Sequence, residues 1–298
     1  MPWIQLQIPA DPDNADQLED LLMEVGAEAV SMEDAADQPL YEPDPGTTPL
    51  WFETRVTGLF DSERNIEQLC AEITDRWHQQ TQQSLPDIEV TLVEDKDWAR
   101  AWMEDFKPLR FGERLWIVPS WHEAPDPDAA NLLLDPGLAF GTGTHQTTAL
   151  CLEWLDGHAV AGKQVIDYGC GSGILGLAAL LLGADHVIGV DTDPQALEAS
   201  RENARRNDVP EDRLDLYLPE HEPDTVAEVL LANILAQPLI SLASHLANRV
   251  CMGGDIVLSG ILSHQARDVM EAYEPWFIMD EPEERQEWVR LTGRRRDR

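Results

Sequence analysis

"VIDYGCGSGILG", residues 165–176, carries the reading of the whole chain. Val165 and Ile166 form a strand-like start that runs into Asp167. From Ile174 onward, "ILGLAALLLGA" is an apolar run of helical character. Between them stand Gly169, Gly171 and Gly173. A strand that enters a helix through alternate glycines turns sharply, and a ligand can approach its backbone with no Cβ in the way. The dinucleotide fingerprint wants G-x-G-x-x-G, but Ile174 stands where its third glycine belongs. The spacing D-x-G-x-G-x-G, led by Asp167, suits an adenosine ligand better than a pyrophosphate. Close helix–strand packing is the other explanation of the glycines, and this stretch alone leaves both open.

Outward from this turn, strand and helix patterns alternate. "HVIGVD" (186–191) is strand-like and "PQALEASRENARRN" (194–207) an amphipathic helix; "DLYL", "EVLLAN" and "DIVLSG" read as further strands, with a final pair at "WFIMDE" and "EWVRLTG". Such alternation predicts an α/β fold, a mostly parallel, Rossmann-like sheet with helices on both faces. Ligands of these sheets bind beyond the carboxyl ends of the strands, at the topological switch point. Asp191 ends the second of these strands, eighteen residues after Gly173. Its carboxylate is placed to accept from both ribose hydroxyls and to repel a 2′-phosphate. The competing role, capping the next helix, falls to Asp193 before Pro194.

Asn233 ends the fourth strand, facing the same crevice. A turn asparagine is the plain alternative, and the chemistry decides between them. A sulfonium methyl donor arrives activated, so the protein mainly has to hold a nucleophile in line with it. An amine nucleophile must be neutral, although lysine's reference pKa is about 10.4. An acidic partner would keep the ammonium charged, whereas a neutral amide oxygen orients the N–H bonds without that penalty. Asn233 is therefore the candidate catalytic residue.

Upstream, "LAFGTGTHQTT" (138–148) is no P-loop, because no Gly-Lys-Ser/Thr follows. Placed before the first sheet strand and leading into a helix, it is expected to fold over the donor's amino-acid end. Thr144, Thr147 and Thr148 offer hydroxyls and amides at a helix start, suited to a carboxylate, and Gly141 and Gly143 permit close approach. For His145, proton transfer and simple positioning both stay open.

The first 93 residues read as strand-helix-strand-strand-helix-strand, the ferredoxin-like order. Ile4, Leu6 and Ile8 alternate; Leu18, Leu21, Leu22 and Val25 are spaced as a helix that stops at Gly26; Ile66, Leu69, Cys70, Ile73 and Trp77 line a second helix. Residues 34–49 form an Asp/Pro-rich loop. This α+β unit, 1–94, carries no catalytic cluster and reads as a docking module. Residues 95–112 are expected to be a linker helix that ends before Pro108, with Trp98, Trp102 and Phe106 along one face. Residues 113–298 then make the α/β domain.

Composition bounds the function. The chain has 298 residues, 43% of them hydrophobic, which is enough for a substantial core. No apolar run reaches the roughly 18 residues a membrane span needs, and no secretory signal is evident. Cys70, Cys151, Cys170 and Cys251 lie far apart, which fits a reducing cytosol and no zinc site. The net charge of −35, with only Lys96, Lys107 and Lys163 as lysines, opposes nucleic-acid binding. Residues 1–95 hold 22 acidic and three basic side chains. Adaptation to high salt and steering of a basic partner both account for this acidity, the first more simply because it runs through most of the chain. The oligomeric state is not fixed by these features.

Taken together, "LDPGLAFGTGTHQTT", "VIDYGCGSGILG", "GVDTDPQALEASRENA", "ANILAQPL", "EWVRLTGR" and the stretch "KDWARAWMEDFKPLRFGERLWIVPSW" resemble the ribosomal protein L11 methyltransferases (PrmA). The resemblance covers nearly all of residues 95–293 and is weaker before them. It implies a class I S-adenosylmethionine-dependent methyltransferase domain preceded by a small substrate-recognition domain. The implied activity is methylation of lysine ε-amino and N-terminal α-amino groups of a basic large-subunit ribosomal protein in the cytoplasm. It also implies cofactor contacts at Thr148, Gly169, Asp191 and Asn233. Amine methyltransferases more widely carry Asn/Asp-Pro-Pro-Tyr; here the stretch is Asn233-Ile234-Leu235-Ala236, without the aromatic wall. The alternatives are a methyltransferase of RNA or a small amine, which the charge opposes, an NAD-dependent oxidoreductase, which Ile174 disfavours, and a nucleotide-sensing regulator. If the acidity is salt adaptation, the melting temperature will rise between low and molar salt; thermal melts in a salt series check this.

Overall fold

A computed structural model of the protein describes residues 2–36, 50–93, 106–135 and 145–297. The chain forms two compact units, Met1–Asp105 and Phe106–Arg298. The expected linker helix lies outside the described residues up to Asp105, as does most of the 34–49 loop. Its far end is not helical. Leu109–Phe111 pair antiparallel with Leu115–Val118, which satisfies their backbone within the second unit.

The first unit consists of β1 (Trp3–Ala10), α1 (Ala15–Glu24), β2 (Ala29–Asp34), β3 (Thr54–Asp61), α2 (Ile66–Thr81) and β4 (Glu89–Val93). Its sheet runs β2-β3-β1-β4, antiparallel throughout, which is the ferredoxin-like arrangement. The period-two pattern of β1 buries Ile4, Leu6 and Ile8 against Leu18, Leu21 and Leu22 of α1 and Leu69, Ile73 and Trp77 of α2. The chain leaves α1 through Gly26 at φ +93. β4 is an edge strand whose apolar positions stay open: Leu92 is 64% exposed.

The second unit opens with β5 (Leu109–Phe111), β6 (Leu115–Val118) and β7 (Ala130–Leu133), a small separate sheet. Then follow α3 (Gln146–Gly157), β8 (Gln164–Tyr168), α4 (Ile174–Leu181), β9 (His186–Val190), α5 (Pro194–Arg206), β10 (Leu214–Tyr217), β11 (Ala227–Asn233), α6 (Ala236–Asn248), β12 (Val250–Leu262), α7 (Ala266–Tyr273), β13 (Phe277–Met279), β14 (Glu283–Arg285) and β15 (Trp288–Arg295). The main sheet runs β10-β9-β8-β11-β12-β15-β13, with β14 on β15. Its first five members are parallel; β15 is antiparallel to both β12 and β13. One face buries Val165, Val187, Val229, Leu231 and Val257 under α3 and α4. The other buries Ile166, Ile188, Leu230, Ile256 and Leu258 under α6 and α7. Strands covered on both faces read as continuous apolar runs, as they do here.

From β8 the chain winds outward through β9 to β10, then returns to β11 on the other side and continues to β12. The switch point therefore lies between β8 and β11, at Gly169 and Asn233. Ile234 seals its floor. A Cβ on Gly169 would lie 2.3 Å from Ile234 Cγ2, and one on Gly260 would lie 2.3 Å from Ile234 O. Gly260, at φ +82, is where the register of β12 against β15 shifts. No helix among the described residues is long and apolar enough to cross a membrane. The four cysteines are free. Gly260→Ala adds both left-handed strain and a backbone collision, so it will destabilise the protein by about 2 kcal/mol or more. A urea midpoint shift measures this.

Candidate active site

The glycine turn after β8 is pinned to its neighbour strand. Gly169 N and Cys170 N both donate to Val190 O, at 2.7 and 3.0 Å. Gly169, Gly171 and Gly173 have φ of +78, +55 and +79, so the turn is left-handed at each alternate residue, a conformation that favours glycine. Gly173 also answers to packing, since a Cβ there would lie 2.9 Å from Ser200 Oγ. Ser200 in turn donates to Gly171 O at 2.9 Å, and Asn203 Nδ2 to Ser172 O. Conformation and close packing, the two explanations of the glycines, thus act on the same turn.

Asp191 stands half-buried at the end of β9. Its Oδ2 accepts from Gly171 N at 2.8 Å and its Oδ1 from Asp193 N at 2.9 Å. Each carboxylate oxygen keeps a further lone pair for a ligand hydroxyl. The helix cap is supplied next door, where Asp193 accepts from Gln195 N with Pro194 at the first helical position.

Asp167 sits deeper than a crevice-lining ligand contact would. It is 1% exposed, and its Oδ2 accepts from Gly176 N in the first turn of α4, so one oxygen braces that helix. Oδ1 is buried with no partner, an acceptor left open at the carboxyl end of β8. Burial, countered by the Gly176 bond and reinforced by the charge of Asp191, pushes its carboxyl up to about 7.

Across the switch point, Asn233 is half-buried, and its Nδ2 donates to Thr148 Oγ1 at 3.2 Å. Thr148 is fully buried in the first turn of α3. Thr147 turns its hydroxyl the other way, 2.8 Å from His145 Nδ1, and its carbonyl accepts from Ser259 Oγ. Its hydroxyl here serves the helix start. His145 caps α3, accepting from Thr147 N, and its ring meets Trp288 edge-on at 4.9 Å. Burial lowers its pKa, and Glu287 partly opposes this. The neutral ring at the cap favours the positioning role. Thr144, Gly141 and Gly143 lie outside the described residues. No cluster of His, Cys, Asp and Glu among the described residues could hold a metal ion.

Residues 2–296 match the family model described as ribosomal protein L11 methyltransferase (PrmA). The chain belongs to the ribosomal protein L11 methyltransferase family. A relative of that name from Marinobacter nauticus is 81% identical over 297 residues, covering the whole of both chains. One from Pseudomonas paraeruginosa is 55% identical over 296 residues, 99% of each chain. A solved ribosomal protein L11 methylase from Lactobacillus delbrueckii subsp. bulgaricus superposes at a TM-score of 0.57 with 32% identity, over 64% of this chain and all of that one. The protein is thus an enzyme, a methyltransferase, and its second unit has the class I, Rossmann-like methyltransferase fold.

In this member of the L11 methyltransferase family, several residues that shape the site escaped notice in the sequence. Ser259 and Gly260 read only as the end of a strand. Arg290, on β15, donates to Leu150 O in α3 and pairs with Glu283, and Arg285 pairs with Glu153 of α3. Asp156, at the far end of α3, accepts from the amides of Glu113 and Arg114. Apart from Arg290 and Glu283, these partners are remote in sequence, so periodicity gives no sign of them.

Asp167 holds its proton to about pH 7 in the fold, against 3.8 ordinarily. A raised carboxyl favours the folded state below its unfolded pKa, and that advantage is lost as pH rises through the folded value. Asp167→Asn will therefore melt higher than the parent at about pH 8, and the gap will shrink towards about pH 5. Melting curves across that range check it.

Proposed function

We propose that this enzyme transfers methyl groups from S-adenosylmethionine to lysine ε-amino and N-terminal α-amino groups of ribosomal protein L11 in the cytoplasm. The observation that carries this reading is the Asn233 carboxamide, tied through Nδ2 to Thr148 across the crevice from the glycine turn and Asp191. The site suits the donor. Asp191 retains lone pairs for ribose hydroxyls, and the positive-φ glycines bare the backbone at alternate positions of the turn. When bound, S-adenosylmethionine supplies a methyl group already activated by its sulfonium.

This chain's residues then have to orient and desolvate the amine. With Nδ2 engaged by Thr148, Asn233 is left with Oδ1 to accept an amine N–H, which aims the nitrogen lone pair away from the carboxamide. An uncharged acceptor imposes no preference for the ammonium form. The names borne by the relatives support L11 as the substrate, and the surplus of 22 acidic over three basic residues in 1–95 supports that segment as the surface that receives a basic protein. The same charge opposes RNA as the methyl acceptor.

Incubation with labelled S-adenosylmethionine and total ribosomal proteins from a methylation-deficient source, read by mass spectrometry, tests this. Label will appear on one small basic protein. Asn233→Ala will cut transfer at least about 100-fold while donor affinity changes little. Label on RNA instead of protein, or full activity in Asn233→Ala, overturns the reading.

A further inference from the structure

The last polar side chain of β12 before its bulge is Ser259, and it is fully buried. Its neighbours in the strand, Ile256, Val257, Leu258 and Ile261, are apolar and equally buried. A hydroxyl in such surroundings costs stability unless it is hydrogen-bonded, and alanine would pack there with no polar group to satisfy. Ser259 Oγ donates to Thr147 O at 3.1 Å. This bond comes on top of the helix's own ladder, so the helix does not need it in order to form.

Its location gives it a task. Ser259 lies opposite Asn233 in the β11–β12 ladder. The carbonyl it holds belongs to the residue before Thr148, whose Oγ1 in turn holds Asn233 Nδ2. Ser259, Thr147, Thr148 and Asn233 therefore form one closed path from sheet to helix and back to sheet. If α3 moved outward, Thr148 would release the carboxamide, and the carboxamide could rotate. A flipped carboxamide presents N–H to the incoming amine, occupying the lone pair that must attack.

We propose that Ser259 is a positioning residue for methyl transfer, setting the depth of the first turn of α3 and, through Thr148, the rotation of the Asn233 carboxamide. This rests on the role given to Asn233 above. It differs from a purely structural role in what it touches. A packing residue would change the melting temperature, whereas Ser259 changes the reactive geometry, where a displacement of about 1 Å can cost about 100-fold in rate.

The test is a double-mutant cycle on the full-length enzyme, with transfer to L11 measured at saturating donor. Ser259→Ala and Thr148→Val are each expected to lower kcat about 10- to 100-fold, and the double variant to be no slower than Thr148→Val alone. The KM for S-adenosylmethionine in Ser259→Ala should shift less than about threefold. Ser259→Cys, which keeps a weaker donor, should recover part of the rate, and it stands in for the alanine variant if that variant does not fold. Losses that multiply in the double variant, or an unchanged kcat in both Ser259 variants, overturn the proposal. An inactive parent chain would instead defeat the amine-transfer reading. An active parent that Asn233→Ala silences, combined with uncoupled Ser259, defeats only the positioning role.

Discussion

Ile234 is squeezed between two glycines, and the site is assembled around that contact. β8 and β11 are neighbours in the sheet, yet the chain departs from them towards opposite sides, so their carboxyl ends diverge and leave a crevice. The floor of the crevice closes only because Gly169 and Gly260 bring bare backbone against Ile234. Each of these three residues has a polar or ring-bearing neighbour directly before it: Tyr168, Asn233 and Ser259. Where the stack is fixed, the carboxamide and the hydroxyl are fixed with it. An added methyl at either glycine would part the strands where the chemistry requires them closest.

Around this floor, the two acids of the glycine turn do different work because they lie at different depths. Asp191, half-buried, accepts from the backbone amides of Gly171 and Asp193 and keeps further lone pairs free. Asp167, one strand over and buried, gives one oxygen to α4 and keeps the other without a donor. Their mutual repulsion falls on the buried member, whose proton is consequently held more tightly. The turn is therefore rigid where it meets α4 and open to a ligand where it meets solvent.

Much of this could be read in the chain before any coordinates, and the failures have a common cause. Period-two and helical spacing located β1, α1, α2 and α5, which each bury one face against their own unit, and short apolar runs located β8 and β11, which are covered on both; both signals are local to a few turns of chain. Asp193 and Pro194 announced the start of α5 by local cap chemistry alone. β5 was hidden by aromatic residues at helical spacing just upstream, and β7 by the Pro/Asp-rich stretch around it; both are strands because of partners elsewhere. Asn233, Asp191 and the glycines were legible from residue type at strand ends, and the fold gathers them at one switch point. Ser259 was not. Its partner lies 112 positions away, and a serine ending a strand before a glycine looks like any other turn. For Thr147, the residue type was noticed but its direction was not, because the His145 ring that claims its hydroxyl is itself placed by Trp288 on β15.

β15 also bears on how the sheet comes together. It lies between β12 and β13, although β13 precedes it in the chain. β13 therefore reaches the sheet only through β15, and residues 263–287 form an excursion that β15 closes. The same strand carries Trp288, so the His145–Trp288 contact at the start of α3 exists only where β15 is in place. The strand that admits β13 to the sheet thereby also steadies the residue that caps α3.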